Sequence, residues 1–470
     1  MTFPSIRNRL VASSLLVFGL VAAPVLAAPA AKEAPPAPAA PKPFNVPQRT
    51  SFKLDNGLEV SLLPYGDMPK VAIQLVVDTG NIHEKADEMW LVDLVGKLLR
   101  EGTTTRSAEQ VAQAAAELGG ELNVGTQEDQ SHVSIEVLSE FAPHAVSLVA
   151  DVIQNPAFPE SEVERLKGDL IRDLAVYRTM PQVLANEVMA KAIYGEDHPY
   201  GRRVATEEKL KRYTRDQAVK HYEANVGAAR SRLYVVGRFE PAQVEKVVRE
   251  AFGGWRAGPA RLKNVPKQKV AKSVQFLDRP GSVQSTVRVA SKALPPTSED
   301  AITQEVLNTM LGGYFSSRVT SNIREKKGYA YSPYSSVTEH PEDAYWVQEA
   351  DVTTANTGDS LKEILKEVDT LRKTPPPAEE LRDVQNYLAG AFLLENSSRM
   401  GIIYKLRYVD LHGLPETYLK DYVSRVMAVT PDQVRAVAAK VLAQDAMTIV
   451  IVGDMKVVKP QLKVLPPKLR

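Results

Sequence analysis

The chain contains no cysteine, which excludes a disulfide framework, a thiol nucleophile and a lipid-modified N-terminal cysteine. It also has no excess of either charge, because 58 Lys and Arg residues balance 57 Asp and Glu residues to a net charge of +1. This balance gives no electrostatic reason to expect nucleic acid or an anionic membrane as a partner. A chain of 470 residues without cross-links must rely on its core, and this length favours two or more domains.

Local patterns of catalytic residues are also missing. There is no G-x-S-x-G elbow with suitably ordered Asp and His, and the glycine-rich stretches lack the Lys of a phosphate loop. We interpret the acidic stretch around His83 and Glu84 as a solvated turn, and expect His198 to brace a turn. No two histidines lie within five residues of each other, so none forms a local ligand pair: His83, His132, His144, His198, His221, His340 and His412.

The N-terminus has the features of a secretory signal peptide. Arg7 and Arg9 precede an apolar run that starts at Leu10, and small residues fit cleavage after Ala27. The alternative is a membrane anchor, since the run from Leu10 to Ala27 is just long enough to span a bilayer. We expect residues 1–27 to be a signal peptide and the mature protein to be secreted, into a bacterial periplasm, without stable membrane insertion.

The remaining chain divides by composition. Residues 28–48 are rich in Ala and Pro and are predicted to form a disordered spacer, and residues 256–272 are predicted to form a linker. Residues 49–255 and 273–470 show the same order of strand-like and helical patterns, which indicates a duplicated domain. Strands are expected after Arg49, with an Asn56-Gly57 hairpin, and over 70–80; helices are expected over 86–101, 107–118, 140–154 and 159–176.

Motifs along the chain resemble those of the pitrilysin-type metallopeptidases, relatives of mitochondrial processing peptidase. They cover the sequence after residue 49 and are, in order, LDNGLEV, TGNIHEKADEM, LLREGT, LGGELNVGTQED, YGEDHPYGRRV, DRPGSVQS and LGGYFSSRVTSNIREKKGYAYS. The resemblance implies an α+β fold of two homologous α/β-sandwich halves. Each half would contain a mixed, mostly antiparallel sheet with helices packed on it, and the two would form a clamshell.

Active members of this family are inverzincins, with H-x-x-E-H on a helix. Two histidines of that motif bind zinc, its Glu is the general base, and a later Glu completes the ligand set. Counted from LLREGT, the five motif positions and the later ligand correspond to Asp93, Leu94, Val95, Gly96, Lys97 and Asp173.

This set cannot make a catalytic zinc site, which needs three protein ligands. An ammonium about 4 Å from a divalent ion would be repelled by about 8 kcal/mol at an effective dielectric constant of about 20. We therefore expect this chain to bind no metal cofactor, and Lys97 to pair with Asp93 at i, i+4.

The second half keeps a pair of residues that the resemblance makes functional. Arg324 and Tyr331 correspond to the Arg and Tyr that reach the substrate backbone in active relatives. Their forked N–H groups and hydroxyl suit a carbonyl oxygen beside a metal site. The alternative is that Arg324 is a surface helix residue and that Tyr331 packs in a strand against Tyr334.

The resemblance therefore predicts the non-zinc subunit of a secreted, two-subunit zinc peptidase. It would be inactive alone, and its partner would be a homologous chain that carries the zinc and H-x-x-E-H. Arg324 and Tyr331 would bind the peptide substrate at the partner's zinc, and the edge strand near 122–127 would hold peptide by strand addition. Two alternatives are a stand-alone peptide-binding or scaffold protein and an active metallopeptidase with an unrecognised site.

The first testable prediction concerns the N-terminus. Protein recovered after secretion should lack residues 1–27 by mass spectrometry, because signal peptidase removes them. Deleting residues 28–43 should leave the thermal midpoint unchanged, since an Ala/Pro tract has no apolar stripe to pack. An intact Met1 on secreted protein would contradict the signal-peptide interpretation.

Overall fold

A computed structural model describes residues 48–261, 273–341 and 343–465 of the chain. Residues 1–47 of the predicted signal peptide and spacer, and residues 262–272 of the predicted linker, lie outside the described residues. Within the described part of the chain, no helix is both long enough and apolar enough to cross a membrane.

The first half contains a six-stranded sheet and eight α-helices. Its strands are β1 (Thr50–Lys53), β2 (Glu59–Pro64), β3 (Lys70–Val77), β4 (Asn123–Thr126), β5 (Ser131–Leu138) and β6 (Ser231–Gly237). Its helices are α1 (Leu91–Leu98), α2 (Ala108–Glu117), α3 (Ala142–Gln154), α4 (Glu160–Thr179), α5 (Pro181–Tyr194), α6 (Glu207–Arg212), α7 (Arg215–Asn225) and α8 (Pro241–Phe252).

The second half contains a five-stranded sheet and seven α-helices. Its strands are β7 (Ser273–Asp278), β8 (Gln284–Lys292), β9 (Tyr334–His340), β10 (Asp343–Thr353) and β11 (Thr448–Gly453). Its helices are α9 (Ala301–Asn308), α10 (Thr357–Lys373), α11 (Ala378–Glu395), α12 (Arg399–His412), α13 (Tyr418–Met427), α14 (Pro431–Val441) and α15 (Met455–Gln461), with π-helical turns at Thr309–Gly313 and Thr320–Lys326.

The two sheets share one topology. The strand orders are β1-β2-β6-β3-β5-β4 and β7-β11-β8-β10-β9. In each sheet a single parallel pair, β2 with β6 or β7 with β11, is followed by antiparallel neighbours. The second sheet therefore repeats the first without β1, and the predicted fold of two homologous halves with mixed, mostly antiparallel sheets is confirmed.

Most predicted elements of the first half are present, but α1 is shorter than predicted. The helix expected over 86–101 spans only Leu91–Leu98. Trp90, just before it, has φ = 66°, a left-handed conformation that an α-helix cannot contain. The Asn56-Gly57 hairpin is confirmed, because Gly57 has φ = 95° and β1 pairs antiparallel with β2.

Alternate residues of the central strands face two different cores. In β3, Ile73 and Leu75 contribute to a core with the helices of the first half, including α3 and α8. Ala72 and Val76 point the other way and join a core with α12 of the second half. This alternation follows from the two-residue repeat of a strand, and it shows that both faces of the first sheet are buried.

The second sheet is covered in the reciprocal manner. Val450 and Val452 of β11 pack with Met189 and Ile193 of α5, a helix of the first half. The opposite face of β11, which includes Ile449, packs with helices of its own half. The helices of each half therefore cover one face of its own sheet, and one helix of each half, α12 or α5, packs on the remaining face of the other sheet.

A polar cluster ties α12 to the first sheet. The Asp410 carboxylate accepts hydrogen bonds from Arg49 Nη1 and Nη2 at 3.1 and 2.8 Å, and from Tyr234 Oη at 2.8 Å. The Asp410 and Arg49 side chains are 15% and 22% exposed, so the pair is largely shielded from solvent. Arg232 Nη2 adds a bond to the Asp410 carbonyl at 3.2 Å. The Asp410 carboxylate thus links α12 to β6 and to Arg49, the residue before β1.

We predict that Asp410→Ala lowers the free energy of unfolding by about 2 kcal/mol or more, because it leaves the Arg49 guanidinium without a carboxylate partner and the Tyr234 hydroxyl without an acceptor. The matched control is Lys246→Ala, which removes an exposed i, i+4 pair with Glu250. That change should cost less than about 0.5 kcal/mol. Urea unfolding measures both, and equal midpoints would show that the cluster does not hold α12 to the sheet.

Candidate degenerate metal site and substrate-binding pair

A cavity of about 700 Å³ lies where the predicted zinc motif stands. α1 contributes Asp93 and Lys97, and α4 contributes Asp173. The chain from Thr126 to Gln130, at the end of the edge strand β4, forms another wall. The second half closes the cavity with Thr338, Glu339, His340 and Leu411. The structure therefore brings together the three polar positions of the degenerate motif, in a cavity that both halves line.

Lys97 pairs with Asp173 and not with Asp93. Lys97 Nζ lies 3.3 Å from Asp173 Oδ2, so the prediction of an i, i+4 pair with Asp93 is wrong. The reason is that Asp93 Oδ2 accepts a hydrogen bond of 2.9 Å from Asn81 Nδ2. The long Lys97 side chain is left to cross to α4. Because these side chains are 34% and 53% exposed, the ion pair contributes less than about 1 kcal/mol.

Glu84 is buried beside Asp93, so the prediction of a solvated acidic turn is wrong at this residue. Its carboxylate accepts hydrogen bonds from the backbone N–H groups of Trp90 and Val92, at 3.0 and 2.8 Å. Burial, together with the neighbouring Asp93 charge, raises the pKa of Glu84 to about 8. Glu84 thus satisfies backbone donors at the start of α1.

Gly96, at the position of the general base, lies close to the edge strand. A Cβ atom built on Gly96 would stand 2.8 Å from Thr126 Oγ1 of β4. Any larger residue therefore requires Thr126 to move. The absence of a side chain lets α1 approach β4 closely.

These residues do not fit a catalytic divalent metal. Gly96 offers no ligand, Asp93 is engaged by Asn81, and the Lys97 ammonium is placed where a positive ion would have to bind. A zinc ion prefers nitrogen or sulfur ligands, and a catalytic site needs three protein ligands. Within the described ranges, no group of three or more His, Asp or Glu side chains is arranged to hold a metal.

Arg324 and Tyr331 are adjacent in space but lie outside this cavity. The Arg324 guanidinium carbon is 5.3 Å from the centre of the Tyr331 ring and 4.3 Å from that of Phe315. Arg324 Nε also lies 3.3 Å from the Glu325 carboxylate. Tyr331 is 78% exposed, so it does not pack as an interior strand residue. The pair thus forms a cation–π cluster in which the Tyr331 ring is exposed and the Arg324 side chain is partly buried, at 27% exposure.

Sequence reasoning missed the second-half residues at the first cavity. His340 Nδ1 lies 3.3 Å from Asp129 Oδ2, and Tyr200 stacks on the His340 ring at 3.6 Å. Tyr200 Oη donates to Asp129 Oδ1 at 2.5 Å. No sequence motif predicts the contact between His340 and Asp129, because 211 positions separate the two residues. His198 behaves as predicted, because its Nδ1 accepts from the Tyr200 N–H at 3.1 Å.

Two family models match the chain. The model described as insulinase (peptidase family M16) matches residues 64–206, and the model described as peptidase M16 inactive domain matches residues 212–388. The chain is 25% identical over 397 residues to the uncharacterized zinc protease YmxG of Bacillus subtilis, covering 84% of this chain and 96% of that protein. It is 26% identical to the uncharacterized zinc protease Rv2782c of Mycobacterium tuberculosis, covering 87% and 93%.

Solved structures share the fold. A peptidase M16 inactive domain from Pseudomonas fluorescens superimposes with a TM-score of 0.79 at 24% identity, covering 86% of this chain and 98% of that one. A protease from Helicobacter pylori gives a TM-score of 0.79 at 16% identity, covering 87% and 100%.

We predict that the triple variant Asp93→His, Lys97→His and Asp173→Glu binds about one equivalent of Zn²⁺, because it supplies three ligands and removes the ammonium. Calorimetric titration with zinc chloride should detect this binding. Asp93→His alone should bind at least about a hundredfold more weakly, since one imidazole cannot hold the ion.

Adding Gly96→Glu to the triple variant should need Thr126→Ala as well, and it should lower the thermal midpoint when Thr126 is retained. Stoichiometric zinc binding by the unaltered chain, abolished by Asp93→Ala, would overturn this account of the site.

Proposed function

Because the chain belongs to the M16 family of pitrilysin-type peptidases, we propose that it is the non-catalytic subunit of a two-subunit zinc peptidase. In this proposal the partner is a homologous subunit with a complete H-x-x-E-H motif, and this chain binds no zinc. It supplies Arg324 and Tyr331 to the partner's active site, where a peptide is cleaved. The predicted signal peptide supports secretion, for which a bacterial periplasm is the compartment we propose.

The observation that carries the proposal is the contrast between the degenerate metal site and the Arg324–Tyr331 pair. The relatives are named zinc proteases, yet at the corresponding positions this chain has Gly96 and a Lys97–Asp173 ion pair. A helix that has lost both the metal ligands and the base has no chemistry of its own. The Arg324–Tyr331 pair, by contrast, retains both functional groups, with Tyr331 exposed and Arg324 stacked beside it.

The geometry of the pair suits a role in another chain. Phe315 and Tyr331 flank the Arg324 guanidinium at 4.3 and 5.3 Å and restrict its orientation. An oriented guanidinium and a phenol can both donate to one carbonyl oxygen, as substrate polarisation requires. Neither residue lines the cavity around Asp93, so within this chain the pair has no metal position to serve.

A second candidate function is stand-alone peptide binding. β4 is the last strand of its sheet and pairs only with β5 among the described strands. Its free edge adjoins the cavity that contains Asp93, so an extended peptide could add as a further strand. This function would require no partner subunit and no zinc.

The cross-chain proposal is tested by kinetics of the assembled complex. Arg324→Ala or Tyr331→Phe in this chain should slow peptide cleavage about a hundredfold, because each change removes a donor to developing charge. Partner binding, measured by size-exclusion chromatography, and the zinc content of the complex should stay unchanged.

Lys97→Ala is the control variant, and it should alter turnover far less because the α1 helix performs no chemistry. Normal turnover by the Arg324 and Tyr331 variants in a correctly assembled complex would exclude the cross-chain role. In that case the chain would be a scaffold subunit of the complex.

A further inference from the structure

A second cavity, of about 650 Å³, lies within the second half of the chain. It is bounded by α9 and the edge strand β9, and by parts of α11, α12 and α13. Six aromatic rings line it: Tyr334, Phe392, Tyr404, Tyr408, Tyr418 and Tyr422. Tyr334 and Tyr404 are half exposed and form the rim, so the cavity opens to solvent between aromatic walls.

Two shielded carboxyl groups stand inside these walls. Glu305 Oε1 accepts a hydrogen bond of 2.7 Å from Tyr422 Oη, and Glu339 accepts one from the Tyr408 hydroxyl. Within the described residues neither carboxyl forms an ion pair, since the nearby Lys405 ammonium is 2.7 Å from Glu395. Burial raises the pKa of both groups, that of Glu339 to about 7. Three Glu side chains, Glu305, Glu339 and Glu395, therefore line the cavity with a single ammonium, that of Lys405, which pairs with Glu395.

This combination selects for one ligand chemistry. Aromatic faces attract cations, and they also pack against the alkyl stem of a lysine or arginine side chain. A cation bound between Glu305 and Glu339 would make charge-assisted hydrogen bonds in a site shielded from water. A neutral group would add no opposite charge to these shielded carboxyls, and an anionic group would repel them.

The strand beside the cavity indicates that the cation belongs to a peptide. β9 ends its sheet and, among the described strands, pairs only with β10. The cavity is lined by Ser336 and also by Val337, neighbours that point to opposite faces of the strand. The cavity therefore lies along the edge of β9, where an extended peptide could pair through its backbone.

The second cavity shares one lining residue, Glu339, with the first. The residues of β9 that line the first cavity, Thr338 to His340, follow those that line the second, so a peptide along β9 would extend from the aromatic walls towards the cavity that contains Asp93 and Lys97.

We propose that the second cavity binds the lysine or arginine side chain of an extended peptide that pairs with the free edge of β9. This inference deepens the proposed function, and rests on it for the peptide as ligand. Its test needs only the full mature chain, with no partner subunit and no zinc.

The test uses fluorescent seven-residue peptides of alternating Thr and Val whose central residue is Lys, Arg, Gln or Glu. Fluorescence anisotropy with the purified chain should show the Lys and Arg peptides binding at least about tenfold more tightly than the Gln peptide. The Glu peptide should bind most weakly, because its charge would repel those of Glu305 and Glu339.

Substitutions of residues that line the second cavity test which groups cause the preference for the Lys and Arg peptides. Glu305→Gln combined with Glu339→Gln should bring the Lys and Gln peptides to within about twofold of each other. Glu250→Gln on the exposed surface of α8 is the matched control and should change nothing. Tyr404→Ala, at the half-exposed rim, should weaken the Lys peptide about threefold or more without risk to folding, which circular dichroism verifies.

Calorimetry gives an independent readout. A bound cation favours the charged form of Glu339, so binding at pH 7 should release protons, detected by comparing buffers of different ionisation enthalpy. Glu339→Gln should abolish the release. The other titratable or charged groups facing the cavity are Glu305, Tyr334, Glu395, Tyr404, Lys405, Tyr408, Tyr418 and Tyr422.

Equal affinity for all four peptides, or selectivity that survives the double Glu variant, would overturn the proposal. Spermidine binding at this site while the peptides fail to bind would overturn it too, by showing a site for small cations. The selectivity is measured on this chain alone, without partner or zinc, so failure of the cross-chain role and failure of this site are separate results.

Discussion

The arrangement of this protein depends on the need to bury both faces of two β-sheets. Strands such as β3 and β11 are apolar on both sides, and each half packs its own helices on one side only. The exchange of α5 and α12 covers the remaining faces. Full burial of one large aliphatic side chain, such as Ile193 or Val450, is worth about 1.5–3 kcal/mol. The reciprocal exchange therefore makes each half a structural requirement of the other.

The first cavity owes its form to this packing of the two halves. It is walled by α1, α4 and β4 from one half and by the end of β9 from the other. The contact of His340 with Asp129 joins the halves beside it. The second cavity lies within one half and shares only Glu339 with the first. The first cavity thus arises where two repeated units meet.

The order of strands and helices and the duplicated halves followed from the pattern of the sequence, because side-chain periodicity and turn residues act locally. The meeting of Asp93, Lys97 and Asp173 followed from family resemblance alone. The sequence could not predict contacts that depend on the direction of side chains in segments far apart along the chain. Lys97 has acidic neighbours on two helices, and only the Asn81–Asp93 hydrogen bond decides between them. Likewise, nothing near Glu339 in the sequence shows that aromatic rings from α11, α12 and α13 surround it.

The close approach of α1 to β4 at Gly96 has a consequence for redesign of the chain. A side chain at position 96 would displace the Thr126 hydroxyl, so an acidic residue there is sterically unfavourable on its own. A catalytic metal site would also need imidazole ligands and the removal of the Lys97 ammonium. Engineered hydrolysis therefore requires several coupled substitutions, because no single one completes the site.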